Sequence, residues 1–124
     1  MVVSDDDAYH FRVFMRENLQ LTNAYSIGLI RITEENGEIV LCRYNGRHGQ
    51  HRNQIEKEII ESEHIHMYNQ EYVANGYRAD GYAIRAHTYT HFKQAVFVFF
   101  KDMHIVNYAD FFPELVVYEQ WVLF

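Results

Sequence analysis

The sequence predicts an α+β fold, in which an antiparallel sheet packs against helices. Two β-rich segments, Tyr25 to Thr33 and Glu38 to Tyr44, are joined through Asn36-Gly37, a pair typical of tight hairpin turns. Apolar residues recur at helical spacing between His91 and Met103, which indicates an amphipathic helix. With 124 residues, 48% of them hydrophobic, the chain has the size and composition of a single domain spanning residues 1–124.

The N-terminal segment is predicted to be a helix that ends near Asn18. Ser4 is a suitable N-cap, and the acidic residues from Asp5 to Asp7 would interact favourably with the helix dipole. Apolar residues then follow at helical spacing: Ala8, Phe11, Phe14 or Met15, and Leu19. The hairpin comes next, and because its strands carry apolar residues on both faces we expect it to be central in the sheet.

The middle of the chain alternates between predicted loops and short strands. Residues 45–54 contain two glycines and little apolar content, so they are predicted to be a loop, and residues 55–61 fit a short strand or a turn. Glu63 to Asn69 alternates in polarity as a strand does. A loop is expected through Asn75-Gly76, followed by a short strand from Tyr82 to Ala86.

The C-terminal third is predicted to contain a second helix and a last strand. Thr90 is placed to cap the helix, and the apolar stripe of the helix is wide enough to predict burial on most sides. Val116, Val117 and Trp121 favour a strand within Leu115 to Phe124. The predicted fold class is therefore an α+β antiparallel sheet with an N-terminal helix and a second, largely buried helix packed on it.

Composition restricts the functions that the chain can have. A net charge of -6 and a pI near 5.7 argue against general affinity for nucleic acid, but they allow a local basic patch or docking on a basic protein. The single cysteine, Cys42, excludes an intramolecular disulfide and is expected to be a small buried apolar residue. No signal peptide is visible, and the longest apolar run, Ala95 to Phe100, is too short to span a bilayer. We therefore expect a cytoplasmic location and no membrane partner.

A cationic segment follows the predicted hairpin. It carries five basic or histidine residues within ten positions and no acidic residue: Arg43, Arg47, His48, His51 and Arg52. Arginines bind phosphate through paired hydrogen bonds, glycines allow backbone amides to turn toward an anion, and histidines transfer protons near neutral pH. The alternative is a solvated loop whose charges offset the glutamates that follow it.

A histidine pair follows on the predicted strand from Glu63 to Asn69. Because side chains alternate along a strand, His64, His66 and Tyr68 share one face, and Ile65 and Met67 share the opposite face, which is expected to face the core. Two imidazoles at this spacing can reach one phosphate or one metal ion. A structural role, with both rings hydrogen-bonded to backbone or carboxylate groups, remains open.

A metal site would need further ligands, for which His51, His87 and His91 are the candidates. The sequence contains neither a cysteine pair nor a His-Glu-x-x-His motif. We therefore predict no metal site and no cofactor. His87 and His91 also flank Thr88 and Thr90, which are more simply explained as strand-end and helix-capping residues.

Three stretches resemble a family of small proteins found in bacterial prophages and mobile elements: Gln50 to Asn53, Glu63 to Tyr72, and Tyr82 to Ile84. The family pattern is His-x-Asn-Pro, then His-hydrophobic-His-hydrophobic-Tyr and Glu-x-Tyr, then a strand and a helix ending in Asn-Ile. The resemblance covers roughly residues 39–110. Gln54 replaces the proline, and His104-Ile105 replaces Asn-Ile. The resemblance implies a role in genetic conflict, as a toxin, an antitoxin or an inhibitor of a host defence such as CRISPR, but it gives no residue a role.

Two functions follow as expectations. The first is a toxin-like, RNA-directed phosphodiesterase in which His51, His64 and His66 act as acid and base. Its expected phosphate-binding residues are Arg47, Arg52, Asn53 and Tyr68. The second is a non-enzymatic inhibitor (anti-CRISPR-like) or antitoxin that binds a host or phage protein through exposed Tyr and Glu residues. Homodimerisation through the aromatic C-terminus is a further alternative, and the sequence is compatible with either an enzyme or a binding protein.

Overall fold

The computed structural model describes residues 2–3, 10–35, 37–105 and 116–121, and the side chains of 10–35 and 37–105. Two α-helices lie in the described part of the chain: α1 (Gln70–Ala74) and α2 (Phe92–Asp102). The strands described there are β1 (Val2–Val3), β2 (His10–Asn18), β3 (Tyr25–Thr33), β4 (Gly37–Asn45), β5 (His51–Arg52), β6 (Ile59–Ile60), β7 (His64–Met67), β8 (Tyr82–Arg85) and β9 (Val116–Trp121).

The described strands form a seven-stranded sheet in the order β1-β2-β3-β4-β7-β8, in which β9 also pairs with β2, and a separate ribbon of β5 and β6. All pairings are antiparallel except that of β9 with β2, which is parallel. The predicted α+β class is confirmed, and the sheet is antiparallel apart from this one pair. No helix in the described ranges is long and apolar enough to cross a bilayer.

The predicted N-terminal helix is wrong for residues 10–18, which form β2. This strand pairs with β3 from His10 to Glu17, and its alternate residues Val13 and Met15 are buried. Phe11 and Met15 fit a helical spacing, but Phe11, Val13 and Met15 also fit a two-residue period, and the pairing with β3 decides between them. The predicted cap at Ser4 lies outside the described residues.

The predicted hairpin is confirmed and is central in the sheet. β3 pairs with β4 from Ser26 to Thr33, and β2 and β7 flank the hairpin on its two sides. Gly37 has a φ of 67°, the left-handed conformation that a glycine adopts without strain in such a turn. Asn36, the other turn residue, lies outside the described residues.

Two predicted loops contain regular structure. Residues 45–54 include β5, which pairs with Ile59 and Ile60. Residues 55–61, predicted to be a short strand or a turn, therefore contain the strand β6. Residues 70–74, predicted as a loop, form α1, because the side chain of Asn69 accepts a hydrogen bond from the amide of Tyr72 and caps a single helical turn.

Helix α2 begins one residue later than predicted, and its N-cap is His91 rather than Thr90. The prediction of burial on most sides is wrong. One face is buried, through Ala95, Phe99 and Phe100, whereas Phe97 is 64% exposed. The predicted C-terminal strand is confirmed as β9.

The apolar core lies between α2 and one face of the sheet. From β4 it receives Cys42 and Tyr44, and the hydroxyl of Tyr44 donates to Asp102 on α2 at 2.6 Å. Tyr44 also packs edge-on against Phe99, with ring centroids 5.4 Å apart. Cys42 is buried as predicted, and burial raises the pKa of its thiol to about 11. Because side chains alternate, Arg43 and Asn45 point to the opposite face of the sheet.

Candidate functional site

The face of the sheet opposite α2 carries a row of polar side chains. In the register of β4 and β7, Arg43 lies opposite His66 and Asn45 lies opposite His64. Together with the β5–β6 ribbon, these residues line a cavity of about 550 Å³, which we call the histidine cavity. Its charged and imidazole lining residues are Arg43, His48, His51, Arg52, His64, His66, Arg78 and Asp80.

Three imidazole rings meet in the histidine cavity. The ring centroid of His51 is 4.5 Å from that of His66 and 5.7 Å from that of His64, and the centroids of His64 and His66 are 5.0 Å apart. His64 and His66 are 5% and 4% exposed, and His51 is half-buried. Residues from β7 and from the β5–β6 ribbon therefore form one compact histidine cluster.

Asn53 fixes the position of His51. Its Oδ1 accepts a hydrogen bond from the amide of Ala83 at 2.9 Å, and its Nδ2 donates to the carbonyl oxygen of Ala83 at 2.8 Å. These two bonds fix the orientation of the amide, and Oδ1 lies 2.9 Å from Nε2 of His51. Because Oδ1 only accepts, the proton of a neutral His51 ring is on Nε2, and the lone pair is on Nδ1.

The tautomers of His64 and His66 are fixed by backbone carbonyl groups. Nδ1–H of His64 donates to the carbonyl oxygen of Ser62 at 2.8 Å, and Nδ1–H of His66 donates to that of Asp80 at 2.9 Å. A carbonyl oxygen cannot donate, so each neutral ring carries its lone pair on Nε2. The cluster therefore combines two Nε2 acceptors with one Nδ1 acceptor.

Burial keeps His64 and His66 neutral at neutral pH. It lowers the pKa of His64 despite the opposing effect of the Ser62 carbonyl. Burial, followed by the charge of Arg43, lowers the pKa of His66 to about 3. Both rings are therefore neutral and keep a lone pair on Nε2, and the lowered pKa makes each of them a weak base in the free protein.

Arg43 and Asp80 form the charged floor of the cavity. Nη1 of Arg43 lies 3.9 Å from Oδ2 of Asp80, and Nη2 of Arg78 lies 3.2 Å from the same oxygen. Nε of Arg43 and Oδ1 of Asn45 are buried without a hydrogen-bond partner among the described residues. Buried polar atoms normally have partners, so these two atoms are exceptions beside the cavity.

The structure brings together only part of the residue set selected from the sequence. His51, His64, His66 and Arg52 line the cavity. Arg47 is exposed and outside the lining, as is Tyr68, whose hydroxyl bonds to Oε1 of Gln70 at 3.1 Å. The structure does not bring Arg47 and Tyr68 into the site, because β4 ends before Arg47 and β7 ends before Tyr68.

Asn53 was expected to bind phosphate, but its side chain is not placed to do so. It is 2% exposed, and Ala83 and His51 occupy both of its amide atoms. We therefore describe it as a positioning residue. This role could not be predicted from the sequence, because Ala83 follows Asn53 by thirty positions and the contact depends on the fold.

Several cavity residues were absent from the sequence-based set. Arg78 and Asp80 lie in the turn that leads into β8, and Tyr72 lies on α1. The hydroxyl of Tyr72 donates to Glu56 at 2.5 Å and accepts from the amide of Ile55 at 3.3 Å, which ties the β5–β6 ribbon to α1. Asn75-Gly76 indicated a loop here, but the sequence pattern did not indicate its direction.

No group of three His, Cys, Asp or Glu side chains within the described ranges is arranged to hold a metal ion. Comparison of the chain with protein-family models, with curated proteins and with solved structures gives no match.

Proposed function

We propose that the chain is a toxin-like, RNA-directed phosphodiesterase of a mobile element, and that the histidine cavity receives the scissile phosphate. The observation that carries the proposal is the cluster of three histidines with fixed tautomers beside Arg43, Arg52 and Arg78. Histidines supply acid and base, and arginines bind phosphate.

His66 is the proposed general base. Its ring is neutral, its Nδ1–H is held by Asp80, and its Nε2 carries the lone pair that accepts the proton of an RNA 2′-hydroxyl group. A bound phosphate is an anion beside Arg43, so it offsets the charge that helps to lower the pKa of His66. Substrate binding therefore makes this ring a stronger base at the moment when a base is required.

His51 is the proposed general acid. It is the half-buried member of the cluster, and Asn53 holds its Nε2–H, so a second proton binds at Nδ1. In the proposed step the 2′-oxygen attacks phosphorus, the bond to the 5′-oxygen breaks, and His51 protonates that leaving oxygen. The products are a 2′,3′-cyclic phosphate and a 5′-hydroxyl end, so atoms and charge balance without a further reactant.

The proposal is tested with single-turnover cleavage of end-labelled RNA, with and without a chelator of divalent metals. His66→Asn removes Nε2 but keeps a donor near the position of Nδ1, and we expect it to lower the cleavage rate by about 10²- to 10⁴-fold. The control is His87→Ala, because His87 is exposed and outside the cavity lining. Wild-type cleavage by folded His66→Asn protein, or no cleavage by the wild type, contradicts the proposal.

A second candidate function is the binding of a host or phage protein, as an inhibitor or antitoxin. Met67 and Ile84 lie on the helix-bearing face of β7 and β8, and they are 42% and 39% exposed. Exposed apolar side chains on neighbouring strands are typical of protein contacts. In this case Met67→Glu should abolish capture of the partner, and His66→Asn should leave it intact.

A further inference from the structure

Arg43 lies where three depressions of the sheet surface meet. The histidine cavity shares Arg43 and Asn45 with a depression of about 190 Å³ beside Ser26. That depression shares Arg43 and Ser26 with a third, of about 310 Å³, beside Phe14 and Arg16. The three depressions form one continuous path, which we call the sheet groove.

The strand register explains the course of the sheet groove. Residues directly opposite each other in antiparallel strands point to the same face. One row runs from His64 through Asn45 and Ser26 to Arg16. A second, parallel row runs from His66 through Arg43 and Gly28 to Phe14. Each row passes from β7 through β4 and β3 to β2, and these three strand spacings give it a length of about 14 Å.

Gly28 leaves space for the ring of Phe14 in the middle of the second row. A Cβ atom at this position would lie 2.5 Å from the carbonyl oxygen of Cys42 and 2.5 Å from the ring of Phe14. The Phe14 ring therefore lies against the backbone of Gly28, and it is only half-buried. An aromatic ring that lies over Gly28, the residue opposite Arg43, is placed beside a cationic cavity and is suited to stacking an unpaired base.

Positive charge extends along the same path. Burial lowers the pKa of Arg43, the carboxylate of Asp80 opposes this shift, and the charges of Arg78 and Arg16 add to it, so both arginines lie near Arg43. Three guanidinium groups thus lie along one face of a chain whose net charge is -6. This local concentration of cations is complementary to a polyanion.

We infer that the sheet groove binds the nucleotides next to the scissile phosphate as a single RNA strand, with one base stacked on Phe14. The inference rests on the proposed function for the position of the scissile phosphate. A duplex does not fit this description, because its bases are already stacked on one another and paired. The groove would thereby select single-stranded RNA as the substrate class.

The test measures the affinity of uncleavable 2′-O-methyl RNA by fluorescence anisotropy, with a trinucleotide, a ten-nucleotide strand and its blunt duplex. We expect the wild type to bind the longer single strand at least about tenfold more tightly than either other ligand. Phe14→Leu keeps an apolar side chain on Gly28 but removes the ring, and we expect about a tenfold loss for the longer strand. The control is Phe97→Leu, which changes an exposed aromatic residue on α2.

A second pair of variants tests charge. Ser26→Glu places a carboxylate in the groove and should weaken binding of the ten-nucleotide strand, whereas Thr88→Glu adds the same charge at an exposed position outside the groove and should not. Equal affinities for the trinucleotide and the longer strand overturn the inference, as do equal losses from Phe14→Leu and Phe97→Leu.

Cleavage of unmodified RNA separates the inference from the proposed function. If the wild type cleaves RNA but both groove variants bind like the wild type, the groove inference fails and the proposed function remains. If no cleavage occurs but Phe14→Leu and Ser26→Glu still weaken binding of the longer strand, the proposed function fails and the groove remains a single-strand binding surface.

Discussion

The two faces of the sheet differ although they share the same strands. In β4, Cys42 and Tyr44 pack under α2, and Tyr44 contacts both Phe99 and Asp102. Their neighbours Arg43 and Asn45 point the other way and carry buried polar atoms that have no hydrogen-bond partner in the described part of the chain. The helix-bearing face is closed by apolar packing where α2 covers it, and the other face carries three histidines beside these polar atoms. The first face stabilises the fold, and the second has the composition of a binding site.

The largest stability effect should come from the helix-bearing face. Phe99 is fully buried and contacts both Tyr44 and Phe100. Phe99→Ala should lower the free energy of unfolding by about 3–5 kcal/mol, because it leaves a cavity in the core. Urea denaturation measures the loss. If His66→Asn costs as much stability as Phe99→Ala, the division between a stabilising face and a reactive face is wrong.

Asn53→Ala should have the next largest effect on stability and should also alter the histidine cluster. It leaves the amide and carbonyl groups of Ala83 without their side-chain partner, at a cost of about 1–3 kcal/mol for each buried group that stays unsatisfied. His51 also loses the acceptor that fixes its proton on Nε2. Long-range ¹H–¹⁵N correlation spectra should show a single His51 tautomer in the wild type and a mixture in the variant; a mixture in both would contradict the assignment.

Lowering the pH should destabilise the cavity face. Burial lowers the pKa of His66 to about 3 and also lowers that of His64, so below the ordinary histidine pKa the unfolded chain binds protons that the folded chain does not. The contribution of His66 to stability is complete above about pH 6.5 and is lost as the pH falls toward 3, by up to about 1.4 kcal/mol per pH unit. His64 contributes a loss of the same sign.

Urea denaturation between pH 7 and pH 4 tests this dependence. The stability of His66→Asn should fall less steeply with decreasing pH than that of the wild type, because one of the two rings is absent. His87→Ala is the control, because His87 is exposed. Identical slopes for the wild type and His66→Asn would show that His66 is not kept neutral by the fold.

The smallest effect on stability should come from an exposed ion pair. Arg85 and Glu58 form an exposed ion pair at 2.9 Å between β8 and the β5–β6 ribbon. Glu58→Gln should cost at most about 1 kcal/mol and should lose its effect in high salt, because solvent screens such pairs. A larger loss in thermal denaturation would mean that the ribbon depends on this pair more than on Asn53 and Tyr72.

The sequence predicted the elements whose signal is local. The turn residues Asn36 and Gly37 indicated the hairpin, and alternation along β7 placed His64 and His66 on one face. The alternation was less reliable for burial, because Met67 is exposed although it was expected to face the core. Burial depends on which elements cover each end of a strand, and this information is not local.

The features that the sequence did not predict depend on distant partners. In β2, Phe11 and Met15 fit a helical period whereas Phe11, Val13 and Met15 fit a strand period, and only the pairing with β3 decides between them. The floor of the cavity combines Arg43 with Asp80, which is thirty-seven positions away in the chain. Hydrogen-bond partners at this separation have no periodic signature, and so the tautomers of the three histidines could not be predicted either.

The contact between Asn53 and Ala83 has a consequence for association between copies of the chain. Among the described strands, β8 is the last in its direction of the sheet, and the amide and carbonyl groups of Ala83 bond to Asn53 as they would bond to a neighbouring strand. An unpaired edge can template the addition of a strand from another molecule. The side chain of Asn53 blocks this template at its centre, so its removal should promote aggregation regardless of whether the cavity binds RNA.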